Sequence, residues 1–384
     1  MTLIYLVAGE QSGDAIGGRL IPALRALRPD LEFAGVGGPQ MAAAGMPSLF
    51  PIGELAVMGL LEVLPRIRRI VGLMRATERD ILARRPDVLV TIDSPGFTLR
   101  LLKRLRGAGI KRVHYVAPQV WAWREGRVRE YPGLWDRLLC LLPFEPAFFA
   151  RHGLDARFVG HPVIEAGADR GDAARFRARH GVAADAPILL LLPGSRRSEV
   201  SRLLPIFGET LERLAIAFPG LVPVVPVASA VAAHVIAGTE AWPTRPIVVT
   251  DIADKHDAFA AARIALSKSG TSTLELALAD VPMVVAYRVH PVTAWIVRRS
   301  VKVKFAAIVN LLLGRMAVPE FIQETCAAPV LAAAVGALLR GDGTDAQHAS
   351  FAELRAALTP QIGTPSQAAA AEIIALLDMG IAAP

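Results

Sequence analysis

Three turns in this sequence have residue types that bind anions, and each directly follows a short apolar run. They span residues 8–14 (AGEQSGD), 192–199 (LPGSRRSE) and 268–275 (KSGTSTLE). Glycine lets the backbone approach a ligand, and a helix that begins at such a turn directs its first N–H groups at a negative charge. These turns therefore indicate sites for phosphate or another anion, although the first matches neither a P-loop nor the dinucleotide-binding fingerprint.

The second turn is the one whose residues best fit a diphosphate. Gly194 and Ser195 offer backbone and hydroxyl donors, and Arg196 supplies a positive charge. The structural alternative is a solvated helix start, for which the same residue types are common.

The other two turns also have structural interpretations. In the first, Ser12 or Asp14 could cap the helix that follows. In the third, Ser272 and Glu275 have the spacing of a capping box, which is compatible with phosphate binding at the same helix N-terminus. Alternatively, Glu275 could accept hydrogen bonds from a ribose.

A lone carboxylate, Asp93, directly follows the apolar run Val88–Ile92. Ligands of α/β proteins bind at the carboxyl ends of parallel strands, so Asp93 is a candidate general base. A cap of the following turn is the alternative. We interpret His114 and His161, which have no evident partner, as structural. No residues have the spacing of metal ligands, so we expect no metal and no other cofactor.

The elements around these turns indicate an α/β fold. Short apolar runs such as Ile4–Val7, Val88–Ile92, Ile188–Leu192 and Ile264–Ser267 alternate with helical patterns, as in parallel sheets covered on both faces. About ten such runs are too many for one comfortable sheet. We therefore predict two doubly wound, Rossmann-like domains that face a cleft.

The polar stretch Glu165–Asp185 has no strand pattern and indicates a connection between the domains. We place the N-terminal domain at residues 1–165 and the C-terminal domain at residues 166–328. A helical, alanine-rich C-terminal segment follows at residues 329–384. We expect this segment to pack back on the N-terminal domain or on a partner chain in a homodimer.

Composition excludes several classes of protein. Hydrophobic residues make up 53% of the 384 residues and charged residues 20%, which excludes a disordered chain. Two cysteines, Cys140 and Cys326, form neither a disulfide framework nor a four-cysteine zinc site. The sequence has no evident secretory signal and no clean apolar run of about 18 residues, so we expect a cytoplasmic protein.

Positive charge is concentrated in one part of the chain. Residues 57–137 contain 17 basic and 8 acidic residues, so this segment exceeds the net charge of +7 of the whole chain. Such a field indicates an anionic partner. Aromatic residues are few in this segment and no known nucleic-acid module is evident, so we expect no nucleic acid.

Residues 57–75 combine an apolar helical face with arginines on the other faces. Such a basic amphipathic helix can lie in a membrane interface or contact acyl chains, whereas the alternative is an ordinary helix packed on the sheet. Residues 295–313 are a second candidate. The residues that we expect to contact acyl chains or head groups are Leu60, Leu61, Leu64, Ile67, Arg68 and Arg69.

Eight motifs in order along the chain resemble the lipid-A-disaccharide synthase family of bacterial glycosyltransferases. Each motif is weak alone, but together they are specific and cover nearly the whole chain. They are AGEQSGD (8–14), IDSPGF (92–97), HYVAPQVWAWR (114–124), LPFE (142–145), VGHP (159–162), LPGSRRSEV (192–200), SGTSTLE (269–275) and VPEFIQE (318–324).

The resemblance implies a glycosyltransferase fold of the B type and one reaction. The family joins UDP-2,3-diacylglucosamine to 2,3-diacylglucosamine 1-phosphate, and the products are a β-1,6-linked disaccharide 1-phosphate and UDP. Because an α-linked donor gives a β-linked product, the anomeric centre inverts in one displacement that needs a base. The implied location is the cytoplasmic face of the bacterial inner membrane, where the enzyme is a peripheral protein on an anionic surface.

The resemblance also implies roles for the candidate residues. Asp93 would be the base, and the turn after the first strand would line the acceptor side through Gly9, Glu10, Ser12, Gly13 and Asp14. The residues implied on the donor side are Gly194, Ser195, Arg196, Ser269, Gly270, Thr271, Glu275, Asn310 and Gln323.

The chain departs from the family pattern near the candidate base. The family usually has an acid and an asparagine where this chain has Gly96 and Thr98, so a role for that second acid is not carried over. Val309 stands before Asn310 where the family commonly has proline.

Overall fold

The chain forms two units, seen in a computed structural model that describes residues 2–55, 67–123, 125–290, 294 and 303–379. The first unit comprises Met1–Pro162 and Leu358–Pro384, and the second comprises Val163–Ala357. Each unit contains a six-stranded sheet whose paired strands are all parallel. The predicted α/β class and the pair of doubly wound sheets are confirmed.

The first sheet has the order β2-β1-β3-β4-β5-β6. Its strands are β1 (Thr2–Ala8), β2 (Leu31–Val36), β3 (Val88–Ile92), β4 (Lys111–Tyr115), β5 (Arg137–Cys140) and β6 (Ala156–Phe158). The helices of this unit are α1 (Gln11–Leu27), α2 (Pro39–Ala43), α3 (Ile67–Arg84), α4 (Pro95–Arg104), α5 (Val120–Trp123) and α6 (Glu145–Ala150), with a 3-10 turn at Ile52–Glu54 and another at Glu125–Glu130.

The second sheet has the order β12-β11-β10-β7-β8-β9. Its strands are β7 (Ile188–Leu192), β8 (Val222–Pro226), β9 (Ile247–Val249), β10 (Ile264–Lys268), β11 (Met283–Tyr287) and β12 (Glu320–Ile322). Its helices are α7 (Ala173–His180), α8 (Arg197–Ala217), α9 (Ser229–Thr239), α10 (Ile252–Ala261), α11 (Ser272–Leu278), α12 (Ile308–Leu313), α13 (Ala328–Leu339) and α14 (Thr344–Leu358), with 3-10 turns at Pro162–Glu165 and Gln323–Thr325.

The alternation of side chains along the strands explains why both faces of the first sheet are covered. Ile4 and Leu6 belong to a buried cluster with residues of α1, whereas Tyr5 and Val7 belong to a cluster on the other face. Successive strand residues point to opposite faces, so a strand that is apolar throughout requires helices on both sides. The last helix, α15 (Pro365–Asp378), supplies Ala369 and Ile373 to the α1 cluster.

The C-terminal segment predicted at residues 329–384 is divided between the units. Helix α13 packs with the core of the second unit, through Leu331 and Val335 among others. Helix α15 packs on the first unit, where Arg137 forms an ion pair with Glu372 at 2.9 Å. The chain therefore returns to its N-terminal sheet only after Leu358.

Two strands were not expected from the sequence. Both β2 and β12 lie at sheet edges, and each includes a glutamate, Glu32 or Glu320. An edge strand is exposed along one side, so it does not require the continuous apolar run that marks a central parallel strand. Among the described residues, no helix is long and apolar enough to cross a membrane.

The strand orders place one switch point in each sheet. In the first sheet it lies between β1 and β3, because β1 is followed by a strand on one side of this pair and β3 by a strand on the other. In the second sheet it lies between β7 and β10 for the same reason. Ligands of open α/β sheets bind beyond the carboxyl ends of the strands at such points. The turns after these four strands are the turns around Gly9, Asp93, Ser195 and Gly270.

Candidate active site

Asp93 lies at the switch point of the first sheet in a strained turn. Asp93 and Ser94 both have left-handed backbones, with φ of 52° and 49°. Such conformations are unfavourable for non-glycine residues and persist only where surrounding bonds hold them. Here the Asp93 N–H donates to the Tyr115 carbonyl at 2.9 Å, and the Thr98 hydroxyl donates to the carbonyls of Asp93 at 2.7 Å and Ser94 at 3.0 Å. Thr98, at the position of the family asparagine, thus holds the turn.

The turn after β1 comes directly against the Asp93 turn. A Cβ on Gly9 would lie 2.3 Å from Ser94 Oγ and 2.5 Å from Ser94 Cβ, so the approach requires glycine. The Ser12 hydroxyl lies 3.4 Å from Asp93 Oδ2 and can donate a weak hydrogen bond to it. The structure therefore brings Asp93 together with Gly9 and Ser12, which the sequence places on a different turn.

The surroundings of Asp93 favour its protonated form. Burial raises the pKa of the Asp93 carboxyl above its usual value of 3.8, and hydrogen bonds from Ser94 and Ser12 offset only part of this rise. A carboxylate with a raised pKa binds a proton more strongly than an ordinary carboxylate, so it is a better general base at neutral pH. The site can therefore accept a proton from a hydroxyl held beside it.

The remaining residues of the first turn have structural contacts. Asp14 is buried, and its carboxylate accepts hydrogen bonds from the N–H groups of Gly38, Gln40 and Met41 at 2.7–3.0 Å. It holds the start of α2 and has no oxygen free of these bonds. Glu10 is exposed at the N-terminus of α1, and Gly13 is buried.

In the second unit, the turn after β7 surrounds a carboxylate. Glu199, in the first turn of α8, lies 3.3 Å from the Ser195 N–H, 3.4 Å from Arg196 Nη1 and 3.1 Å from Lys268 Nζ. A Cβ on Gly194 would lie 2.6 Å from Glu199 Oε2, and the φ of Gly194 is +121°. Ser195 and Arg196 are exposed. The turn predicted to bind a diphosphate is thus a cluster of hydrogen-bond donors that can bind an anion, at the N-terminus of a helix.

The turn after β10 lies beside it, because β10 pairs with β7. Ser269 is buried and donates its hydroxyl to the Ala306 carbonyl at 2.6 Å. Gly270 has an φ of +158° and Thr271 is exposed at the N-terminus of α11. These residues continue the donor-rich edge, although the Ser269 hydroxyl itself is engaged.

Three further donor-side candidates have their polar atoms engaged within the second unit. Glu275 forms an ion pair with Lys255 through both oxygens, at 2.9 and 2.8 Å. The buried Asn310 amide exchanges hydrogen bonds with the backbone of Val318, at 2.9 Å in each direction. Gln323, with φ of +55°, accepts from the Val289 N–H at 2.7 Å.

Glu199 and Lys268 were not singled out from the sequence, although both lie in the motifs discussed above. Lys268 ends β10, and the signal that identifies it is a charged residue at the carboxyl end of an otherwise buried strand. Glu199 lies in the first turn of α8, where acidic residues are common, so its position in the sequence does not reveal its contacts with two cations.

Comparison with known proteins shows the family of this chain. A family model described as lipid-A-disaccharide synthetase matches residues 4–374. The lipid-A-disaccharide synthase of Gluconobacter oxydans is 57% identical over 377 residues, covering 98% of this chain and 91% of that protein. That of Granulibacter bethesdensis is 54% identical, covering 98% of both.

The chain belongs to the lipid-A-disaccharide synthase family. The resemblance drawn from the eight motifs is therefore confirmed, and the chain is an enzyme of a glycosyltransferase family.

Solved structures support the fold. The S. aureus MnaA structure with UDP has a TM-score of 0.65 at 14% identity, covering 97% of this chain and 95% of that one. CalG4, the calicheamicin glycosyltransferase, has a TM-score of 0.58 at 17% identity, covering 100% and 99%. At such identities the likeness shows the fold alone, which is the predicted B-type glycosyltransferase fold.

Two of the family motifs meet inside the first unit. The buried carboxylate of Glu145, from LPFE, accepts hydrogen bonds from Trp121 Nε1 at 3.1 Å and from the N–H groups of Leu141 and Leu142 at 3.1 and 3.0 Å. Burial raises the pKa of Glu145 to about 7. The Glu145 carboxyl holds the segment that carries Trp121, so the LPFE motif has a structural role here.

Of the two histidines interpreted as structural, His114 is buried and His161 is partly buried. His114 Nδ1 lies 2.8 Å from the Thr91 hydroxyl, its ring stacks on Trp135 at 5.2 Å, and burial lowers its pKa to about 3. Burial lowers the pKa of His161 to about 4. In the described part of the chain, no three His, Cys, Asp or Glu residues are grouped as metal ligands would be.

Part of the candidate lipid-contacting segment lies outside the described residues. This holds for Leu60, Leu61 and Leu64, and for the side chain of Ile67. Arg68 and Arg69 are exposed at the start of α3, where Arg69 forms an ion pair with Glu54 at 2.9 Å.

Proposed function

We propose that the enzyme transfers the sugar of UDP-2,3-diacylglucosamine to the 6-hydroxyl of 2,3-diacylglucosamine 1-phosphate, with inversion and with Asp93 as general base. The observation that carries this proposal is the Asp93 carboxyl, held in a strained turn at a switch point with a raised pKa. Membership of the family supports the choice of substrates.

The proposed reaction has one displacement. Asp93 takes the proton of the acceptor hydroxyl as its oxygen attacks the anomeric carbon from the face opposite UDP. The bond to the diphosphate breaks, and its electron pair leaves with UDP. Ser12 and the turn of Gly9, Glu10 and Gly13 would line the acceptor side.

The donor diphosphate would be held by the second unit. Gly194, Ser195 and Arg196 offer N–H, hydroxyl and guanidinium donors at the start of α8, and the turn of Ser269–Thr271 adds further backbone donors. Glu275 could hold the ribose if it exchanges its contact with Lys255. Asn310 and Gln323 would act by shaping the loops to which they bond.

We further propose that the enzyme binds the anionic cytoplasmic face of the inner membrane through residues 57–75, and that it works without a metal. Liposome flotation tests the first point. Replacing Leu60, Leu61 and Ile67 together by serine should weaken association with anionic liposomes while the thermal unfolding temperature is retained. Unchanged association would transfer this role to another segment, such as residues 295–313.

The direct test is turnover of the purified protein with both substrates in EDTA, read by mass spectrometry. We expect the disaccharide 1-phosphate and UDP. Absence of both from folded protein, with and without added magnesium, would contradict the proposal. Interconversion of a free UDP-sugar without acceptor would instead indicate an epimerase.

A further inference from the structure

The Glu199 carboxylate occupies a position that has the donors of an anion site. A backbone N–H at a helix start, a guanidinium and an ammonium group converge on it, from Ser195, Arg196 and Lys268 at 3.1–3.4 Å. Oxyanions of ligands are bound by these same three kinds of group. The carboxylate therefore stands where an external anion would satisfy the same donors.

The position of Lys268 makes it part of this site. It is the last residue of β10, beside the switch point, and its side chain is 19% exposed. Its ammonium group lies 5.8 Å from the centre of the Tyr287 ring and 3.3 Å from where a Cβ on Gly270 would lie. Lys268 thus joins the turn after β7 to the turn after β10.

We propose that Lys268 binds the donor diphosphate, and that the Glu199 carboxylate takes the place of this anion while the donor is absent. The inference rests on the proposed function, since it deepens the donor site. A diphosphate carries at least two negative charges, whereas the Glu199 carboxylate carries one. Lys268 and Arg196 are therefore attracted more strongly to the diphosphate than to Glu199. As the bond to the sugar breaks, the electron pair moves onto the leaving diphosphate, and Lys268 stabilises that charge.

Glu199 then has a second effect, on product release. Once the sugar has been transferred, the Glu199 carboxylate competes with UDP for Lys268 and Arg196. Without this competitor the product would be held more tightly. This behaviour differs from that of a helix cap, whose loss would destabilise the fold and weaken binding together.

The experiment measures UDP affinity by isothermal titration calorimetry on the full chain, with melting temperature recorded for each variant. Lys268→Met should weaken UDP binding by about tenfold, as expected for loss of one charge-assisted contact. Lys268→Arg should retain affinity within about threefold, because the charge remains. Glu199→Gln, which keeps the shape of the side chain, should tighten UDP binding by about threefold.

A second ion pair of the same type supplies matched controls. Lys103 Nζ lies 2.7 Å from Glu130 Oε2 in the first unit, and both side chains are about half exposed. Lys103→Met and Glu130→Gln make the same changes of charge and should leave UDP affinity unchanged. An equal effect in these controls would mean that net charge alone is responsible, and would overturn the proposal.

The other possible results test the roles of Lys268 and Glu199 separately. Wild-type UDP affinity in Lys268→Met would overturn the role of Lys268. Unchanged or weaker binding in Glu199→Gln, with a lower melting temperature, would show that Glu199 is only a cap. Steady-state kinetics should place the Lys268→Met defect in kcat/KM for the donor and leave the KM for the acceptor unchanged.

These failures are distinguishable from failure of the proposed function. Binding of UDP requires no acceptor and no turnover. If the wild type binds UDP but forms no disaccharide, the proposed reaction fails and the binding role of Lys268 can still be measured. If the wild type forms disaccharide and Lys268→Met matches it in UDP affinity and donor kcat/KM, only the inference fails.

Discussion

The two sheets have switch points of the same kind, yet these are chemically different. At the first, Asp93 has a raised pKa and its described side-chain partner is the neutral hydroxyl of Ser12. At the second, Arg196 and Lys268 surround Glu199 at the start of a long helix. The first arrangement suits proton transfer, whereas the second suits binding of an anion.

The difference follows from the residues at the strand ends rather than from the fold. Both crevices present backbone at the carboxyl ends of parallel strands, where a helix dipole favours negative charge. The first sheet adds a carboxylate there, and burial raises its pKa. The second adds cations, so that the same geometry holds an anion. Variants should therefore separate the two functions.

The largest effect is expected from Asp93→Ala. Turnover should fall at least about a hundredfold, the range for loss of a general base. UDP affinity should stay within about twofold, because the donor site is in the other unit. Turnover by mass spectrometry and UDP binding by calorimetry check both parts. Near-normal turnover would show that another group is the base.

Arg196→Ala should lower UDP affinity, which Asp93→Ala should leave unchanged. UDP affinity should fall by about tenfold, as for loss of a charge-assisted hydrogen bond, while the pH dependence of turnover is retained. Arg213→Ala is the matched control, because Arg213 is exposed on the same helix about 25 Å along its axis. Equal losses of affinity in the two variants would mean that Arg196 has no specific contact.

Gly9→Ala tests the close approach of the two turns in the first unit. Its Cβ would clash with Ser94 and cost about 1–3 kcal/mol of stability, with turnover reduced about tenfold through displacement of Asp93. Ser94→Gly should restore much of the loss in the double variant, since it removes the clashing atoms. Gly96→Ala is the control, because a Cβ built there meets no atom within 4 Å apart from those of adjacent residues and its own helix backbone. Denaturant unfolding and turnover give the readouts, and failure of Ser94→Gly to compensate would contradict the prediction.

The smallest effect is expected from Ser12→Ala. The Ser12 hydroxyl stabilises the ionised form of Asp93, so its loss raises the pKa of that carboxyl further. A base works only when deprotonated, so kcat/KM falls as the pH falls through this pKa. The acidic limb of the profile should therefore move to higher pH. An unmoved limb would mean that Ser12 and Asp93 do not interact in the working enzyme.

Ten of the twelve strands in the two sheets correspond to apolar runs of the sequence, and the runs Val88–Ile92 and Ile188–Leu192 match β3 and β7 residue for residue. Central strands of parallel sheets must be apolar on both faces, so their signal is strong. The edge strands β2 and β12 depart from that pattern. The position of α15 was left open between two surfaces, because an alanine-rich helix pattern does not specify its partner.

The candidate site divides in the same way. Asp93 could be chosen from the sequence because it directly follows an apolar run, and Arg196 because it is a cation in the glycine-containing turn that follows another such run. The contacts of Asp14, Asn310 and Gln323 could not be predicted, since each side chain bonds to backbone outside its own turn, 24, 8 and 34 residues away along the chain. Membership of a family identifies such positions but does not show whether they touch a ligand or hold a loop.

The sequence by itself determined the fold class, the family and the position of the principal turns, because these depend on local apolar runs and on short motifs. Tertiary structure alone decided which turns meet. Gly9 lies against Ser94, and Lys268 against Glu199, because strand order places β1 beside β3 and β7 beside β10. Strand order arises from packing across the whole sheet, so no local pattern contains it.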